Sequence, residues 1–125
     1  MNMRNLKQRH GIVKVILIAI LAALVGAAYL FMTQEQTART ASEKAMSTLG
    51  KAIDDGEQYE PDKVREVLNR EPNETRTPFK NRLVEEYTWK GPFSSHTVYA
   101  YYTVAAIEIL EATSLNQKLE DWETE

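Results

Sequence analysis

RLVEEYTWKGPFSSHTVYAYYT, residues Arg82 to Thr103, decides how the outer part of this chain is built. Its period is two. Leu83, Glu85, Tyr87 and Trp89 fall on one side, and Val84, Glu86, Thr88 and Lys90 on the other. The residues GPFSS make a bend, and His96 to Thr103 form a second run rich in tyrosine, threonine and valine. The pattern predicts an antiparallel hairpin with a loop of several residues. In its second strand Val98, Ala100 and Tyr102 share a face, and Tyr99 and Tyr101 take the opposite one. Ala100 is small, so a helix is expected to approach on its side, packing also on Leu83, Tyr87 and Trp89. Tyr99 and Tyr101, beside Glu86 and Thr88, are then expected to line the outer face. These four residues form a candidate surface for a protein partner, because tyrosine offers rigid contact area with a polar tip.

Downstream, VAAIEILEA (residues 104–112) reads as strand or helix. Its alanines and glutamates favour helix. The alternation of Ile107 and Ile109 about Glu108, and the need of a lone hairpin for a third strand, favour strand. Ser114 and Gln117 resemble a capping box, which would start a last helix with Leu115, Leu119 and Trp122 on one face. The acidic tail EDWETE is expected to fray. Upstream, residues 75–81 read as a polar loop around Pro78. Pro61 and Asp62 open a short helix carrying Val64, Val67 and Leu68, with Pro72 beyond its end. Before it, residues 34–56 form a helix whose stripe is Ala38, Ala41, Ala45, Leu49 and Ala52, widened by Met46 and Ile53. Gly56 stands where such a helix requires a left-handed residue.

At the beginning of the chain lies HGIVKVILIAILAALVGAAYLFMT, His10 to Thr33. Its eighteen residues from Val15 to Met32 carry no charge. At ~1.5 Å per residue such a run spans about 27 Å, against about 30 Å for a bilayer core. A removable signal has a shorter apolar core, although Val25-Gly26-Ala27 would suit a signal peptidase. Residues 12–33 are therefore expected to be a transmembrane helix in contact with the lipid bilayer, with Lys14 snorkelling at one end and Tyr29 and Phe31 in the aromatic belt at the other. Arg4, Lys7, Arg9 and Lys14 lie on the N-terminal side, which places residues 1–11 in the cytoplasm and residues 34–125 outside. Ala19, Ala23 and Ala27 recur at four-residue spacing, as do Ala22 and Gly26, which permits at most weak self-association of the span.

Composition narrows the function. Eleven of the fifteen basic residues and all eighteen acidic ones follow the span, so residues 34 to 125 carry a formal charge of −7. That argues against nucleic acid as a partner. The chain has no cysteine, which excludes thiolate catalysis, cysteine-ligated metals and a lipid-bearing cysteine. A domain outside the membrane without disulfides suits a bacterial inner membrane and cell envelope. His96 is the histidine available for chemistry outside the span, and a hydrolase-like use of it with Ser94 or Ser95 would need an acid to orient the ring and donors to hold an oxyanion. No catalytic, metal or cofactor motif is present. Glu85 and Glu86, as strand neighbours, face opposite sides and cannot act as a pair.

The segment Tyr87-x-Trp89-x-Gly91, followed by the tyrosine-rich strand, resembles small uncharacterised single-span membrane proteins of planctomycete-type bacteria. That resemblance covers the last third of the chain and implies no activity. A second likeness, of element order only, is to SmpA/BamE-type small envelope domains, in which short helices precede an antiparallel sheet. DKVREVLNREP is similar to their helix, but Asn69-Arg70-Glu71-Pro72 lacks the expected glycine. No functional residue carries over. The expected fold class is α+β: a transmembrane helix, then residues 57–125 as a small domain of helices on a hairpin or three-stranded antiparallel sheet, closed by a short C-terminal helix. The expected role is that of a tethered protein-binding or envelope-assembly module rather than an enzyme.

Overall fold

The computed structural model describes residues 3 to 124, with side chains from Arg9 onward, so Arg4 and Lys7 of the expected basic tail lie outside the described side chains. One helix, α1, runs Met3–Asp54. The chain divides into two compact units, Met1–Gln34 and Glu35–Glu125.

The first unit is the apolar part of α1. Its large side chains are exposed along the whole run, Leu21 and Val25 each at 65 %. This is a single helix long and apolar enough to cross a membrane, with none of its apolar window buried within the chain.

The second unit is α+β. After the remainder of α1 come α2 (Pro61–Leu68), β1 (Glu74–Phe79), β2 (Arg82–Lys90), β3 (Ser95–Val104), β4 (Glu108–Leu115) and α3 (Glu120–Glu123). The sheet is an antiparallel meander in the order β1-β2-β3-β4. Its central hairpin is the expected one, in the register Glu86↔Tyr99 and Tyr87↔Val98. The core lies on the Ala100 face, as the alternation implied. Ala45 and Leu49 of α1 and Val64 of α2 pack with Tyr87, Val98, Ala100, Tyr102 and Leu110, with Leu83 and Trp89 at the margin.

Local chemistry explains the helix ends. The Gly56 backbone is left-handed (φ 75°). Gly56 N–H donates to the Ile53 carbonyl at 3.0 Å and Glu57 N–H to that of Ala52 at 2.9 Å, a Schellman closure. Helix α2 starts on Pro61 and ends one turn before Pro72, because Asn69 takes the same left-handed role at φ 54°.

The structure corrects three expectations and bears out the strand alternative for a stretch left open. The sheet has four strands, since residues 74–79 form β1 instead of a loop. Its residues are mostly polar, and Pro78 lies where the β1–β2 register is irregular, between Arg76 and Phe79, so the missing N–H falls outside the regular part of the ladder. The ambiguous stretch is a strand, but it starts at Glu108, with Ile107 exposed in the turn before it. A register shift opposite Tyr101/Tyr102 then turns Leu110 into the core. Ser114 caps no helix. It lies in β4, its hydroxyl donating to the Gln117 carbonyl at 2.5 Å, and α3 is only the four residues Glu120–Glu123. Finally, the acidic tail is held rather than frayed: Arg76 grips Glu123 through Nη1 and Nη2 at 2.8 and 2.7 Å.

The buried stripe of α1 is Ala38, Ser42, Ala45, Leu49 and Ala52. Ser42 was not expected there. Its hydroxyl donates to the Arg39 carbonyl at 2.7 Å, which satisfies the polar atom within the helix and lets serine behave as a small core residue.

Candidate functional site

The candidate side chains named from the sequence lie in two places: the outer face of the sheet, and the β2–β3 loop where it meets Glu35.

On the outer face the hairpin register brings Glu86, Thr88, Tyr99 and Tyr101 together. The Thr88 and Thr97 hydroxyls are hydrogen-bonded across the strands at 3.0 Å. The tyrosine rings stack, with centroids 6.3 Å apart. Tyr101, however, is fully buried, and so is Val84 opposite it. The C-terminal segment covers Tyr101. Trp122 lies against the Tyr101 ring at 5.7 Å, and Leu119 N–H donates to the Tyr101 hydroxyl at 3.0 Å, which in turn donates to Glu123 Oε1 at 3.3 Å. Arg76 Nε donates to Glu86 Oε2 at 2.7 Å while its other nitrogens hold Glu123. Tyr101 is therefore a second-core residue rather than a surface one, and Glu86 is engaged in an ion pair. Tyr99 and Thr88 remain partly exposed. Burial raises the pKa of both Tyr99 and Tyr101, and the Arg76 guanidinium holds Glu123 below the usual carboxylate range. The sequence placed Leu119 and Trp122 on one face of a last helix, but nothing in local spacing said that this segment folds back over Tyr101.

The second place was missed as a unit. Glu35, in the part of α1 that belongs to the second unit, inserts its carboxylate into the loop between β2 and β3. Phe93 N–H and Ser94 N–H donate to its Oε2 at 3.1 and 3.3 Å. The Ser94 hydroxyl donates to Oε1. His96 Nε2 lies 3.2 Å from both Oε1 and the Ser94 oxygen. Gly91 is required here, because a Cβ at that position would run into the carboxylate and come within 3.2 Å of the Glu35 Cα. The Ser94 hydroxyl and the backbone N–H groups of Phe93 and Ser94 draw the Glu35 pKa down to about 2, with a contribution from His96.

Serine, histidine and glutamate thus meet, but not as a catalytic triad. In a triad the acid and the hydroxyl engage opposite ring nitrogens, which sets the tautomer that accepts the serine proton. Here both meet Nε2, and the two N–H groups that would hold an oxyanion are filled by Glu35 itself. Ser95, exposed at the start of β3, pairs in register with Lys90. The arrangement is a carboxylate clasp that ties the loop to α1. Among the described residues no group of three or more histidine, aspartate or glutamate side chains is placed to hold a metal ion.

The clasp has a pH signature. A carboxylate whose pKa is depressed by folding contributes stability above its unfolded pKa and loses it as the pH falls towards the folded value. Glu35→Gln is expected to lower the thermal midpoint of the domain by a few degrees at pH 7. The gap to the parent chain should narrow as the pH falls from about 4.5 towards 2, the window set by the Glu35 shift. Circular dichroism melts of the full chain in detergent at several pH values would check this. A gap that stays constant with pH would show that the carboxylate charge is not what closes the loop.

Of the expected membrane-end residues, Lys14, Tyr29 and Phe31 all lie on the exposed part of α1. No known family, curated protein or solved structure matches the chain.

Proposed function

We propose that this chain is a bacterial inner-membrane protein with a single uncleaved span, its N-terminus in the cytoplasm, and that the domain outside holds a protein partner in the cell envelope. The observation that carries this reading is the continuity of α1. The helix that presents an apolar run also supplies Ala45 and Leu49 to the core of the domain. A cleavable leader has no reason to continue as a core helix, whereas an anchor that must hold a domain at the membrane surface does. The excess of basic residues before the span supports this orientation. The likeness to small single-span proteins and the acidic character of the domain agree with an envelope role.

The partner surface is narrower than the hairpin pattern implied. It centres on Tyr99 with Thr88 and Thr97, beside the C-terminal cover. An enzymatic use of His96 is disfavoured by the way Glu35 occupies the groups that chemistry would need.

Two experiments test the proposal. An alkaline phosphatase fused to the C-terminus should be active, and the mature chain should keep its first residues. An inactive fusion, or a mature N-terminus near Ala28, would overturn the topology. For the partner, a photoreactive amino acid at Tyr99 should give one discrete adduct with an envelope protein in intact cells, and one at Ile107, on the turn after β3, should not. Equal labelling from both positions would remove the surface assignment. Tyr99→Ser is expected to cost less than about 1 kcal/mol, since the ring is only partly covered, while abolishing that adduct in chains probed from Thr97.

A further inference from the structure

Residues 119 to 124 form an arm whose backbone is satisfied within itself. Trp122 N–H and Glu123 N–H each donate to the Leu119 carbonyl at 3.0 Å, and Thr124 N–H donates to that of Glu120 at 2.9 Å. Its helix α3 has no buried residue of its own. Among the described residues no backbone–backbone hydrogen bond joins the arm to the sheet; side chains of the sheet hold it instead. Arg76 forks onto the Glu123 carboxylate at 2.8 and 2.7 Å. The Arg82 guanidinium donates to the Asp121 carbonyl at 2.8 Å and lies over both the Phe79 and the Trp122 rings, 5.2 and 5.3 Å from their centroids. The Tyr101 hydroxyl accepts from Leu119 N–H at 3.0 Å. The groove is thus sheet surface with two guanidinium groups, and the arm is acidic through Glu120, Asp121 and Glu123. Such a groove recognises a short peptide by charge, ring and main chain, and it does so whichever chain supplies the peptide.

The link between arm and sheet is short. Asn116 is pinned to β3, its N–H donating to the Thr97 carbonyl at 2.7 Å and its Oδ1 accepting from Thr97 N–H at 2.7 Å, with its backbone left-handed at φ 59°. Gln117 and Lys118, both exposed, are all that connects this turn to Leu119. A short link after a left-handed residue is where exchange of an element between copies costs least, because only the link changes conformation and every other contact is remade. We propose that two copies of this chain exchange their arms, so that Trp122 and Glu123 of one copy fill the groove of Arg76, Arg82 and Tyr101 in the other. A second copy is the occupant because it brings the very peptide that the groove holds in this structure, with charges complementary to Arg76 and Arg82. Two grooves and two arms satisfy each other, so the assembly closes at a dimer. The exchange draws on neither the Tyr99 surface nor the apolar run, and it stands or falls apart from the proposed function.

Charge reversal tests the exchange in the full chain. Arg76→Glu and Glu123→Arg each place like charges together when a copy closes on itself. When the two variants are expressed together, exchange puts Glu123 of the first on Arg76 of the second, and the other groove receives the same pair reversed. The variants carry tags of different mass and are counted by native mass spectrometry in detergent. The mixed dimer should exceed either same-variant dimer by about tenfold or more, and the parent chain should itself show a dimer. Mixed and same-variant dimers in statistical proportion would mean that something other than the arm holds the copies, and would overturn the exchange. Monomers alone would overturn it equally. Because Glu86 also meets Arg76, the reversed charge can unfold the domain, so a second measurement keeps the pair intact. The chain has no cysteine, and single ones are placed by Phe79→Cys and Thr124→Cys, on either side of Arg82. Treated with a short bismaleimide, the two variants expressed together should yield far more cross-linked dimer than either one alone. No excess in the mixture would overturn the exchange.

Discussion

Arg65→Ala is expected to cost about 3 kcal/mol and to bring a domain of this size close to unfolding at room temperature. The reason lies in Glu85. It occupies a core-facing position of β2 and its side chain is fully buried. Arg65 reaches it from α2, with Nη2 at 2.7 Å and Nε at 3.2 Å from the same oxygen, Oε2. The Tyr87 hydroxyl donates to the other oxygen at 3.3 Å. Removing the guanidinium leaves a buried carboxylate with one neutral donor. Arg65 itself is not symmetric with its partner, since its side chain is 34 % exposed and leans towards Asp62 and Glu71 as well. Glu85→Leu should therefore cost less than Arg65→Ala, because the freed guanidinium turns to water. The double variant Arg65→Leu with Glu85→Leu should recover most of the loss, as buried ion pairs replaced by apolar side chains often do. Denaturant titrations of the four chains would decide the matter. Equal cost for the two single variants would mean that Glu85 finds water or another donor, and that the pair does not hold α2 on the sheet.

The Glu85 site shows what could be read from sequence and what could not. Alternation along β2 placed Glu85 on the side of Tyr87 and Trp89, and that side is the core. Its partner lies twenty residues earlier on a different helix, and nothing in local spacing links the two. The same division holds elsewhere. Gly56 announced the end of α1, and Pro61 the start of α2, because each acts on its own backbone. Ser42 escaped notice because it is polar, although its place four residues after Ala38 and three before Ala45 completes the stripe. β1 escaped because Glu74 and Arg76 are charged, and only pairing with β2 gives that strand a reason to exist. Glu35 is the extreme case. As a charge just past an apolar run it reads as a helix-surface residue, and its role depends on a loop nearly sixty residues later.

That loop changes the functional argument more than any single burial does. Ser94 and His96 were candidates for nucleophilic chemistry because of their residue types alone. Geometry gives them a different task, since the acid, the hydroxyl and the ring converge on one nitrogen and the backbone donors are already used. A group of residues that looks catalytic in composition is spent on joining the β2–β3 loop to α1.

Removal of residues 119 to 125 is expected to destabilise the domain by about 2–4 kcal/mol, a large share of its total stability. The lost segment is short, but it is the lid of a second small core. It covers Tyr101, fully buried in the intact chain, and exposing a ring of that size costs about 1.5–3 kcal/mol by itself. The Arg76 fork also loses Glu123, which it holds at 2.7 and 2.8 Å, and keeps only Glu86. Single changes should divide the effect. Trp122→Ala removes the ring against Tyr101 and should account for the larger part, while Glu123→Gln keeps the shape and weakens only the charge-assisted bonds. The two differ in pH dependence. Glu123 has its pKa lowered by Arg76, so its contribution is present above the ordinary carboxylate range and fades as the pH falls below it. The deficit of Glu123→Gln should accordingly shrink in acid, whereas that of Trp122→Ala should not follow the same titration. If the truncated chain melts with the parent, the C-terminal segment is only laid on the sheet. Tyr101 would then be available to a partner after all, and the wider docking face implied by the hairpin pattern would return.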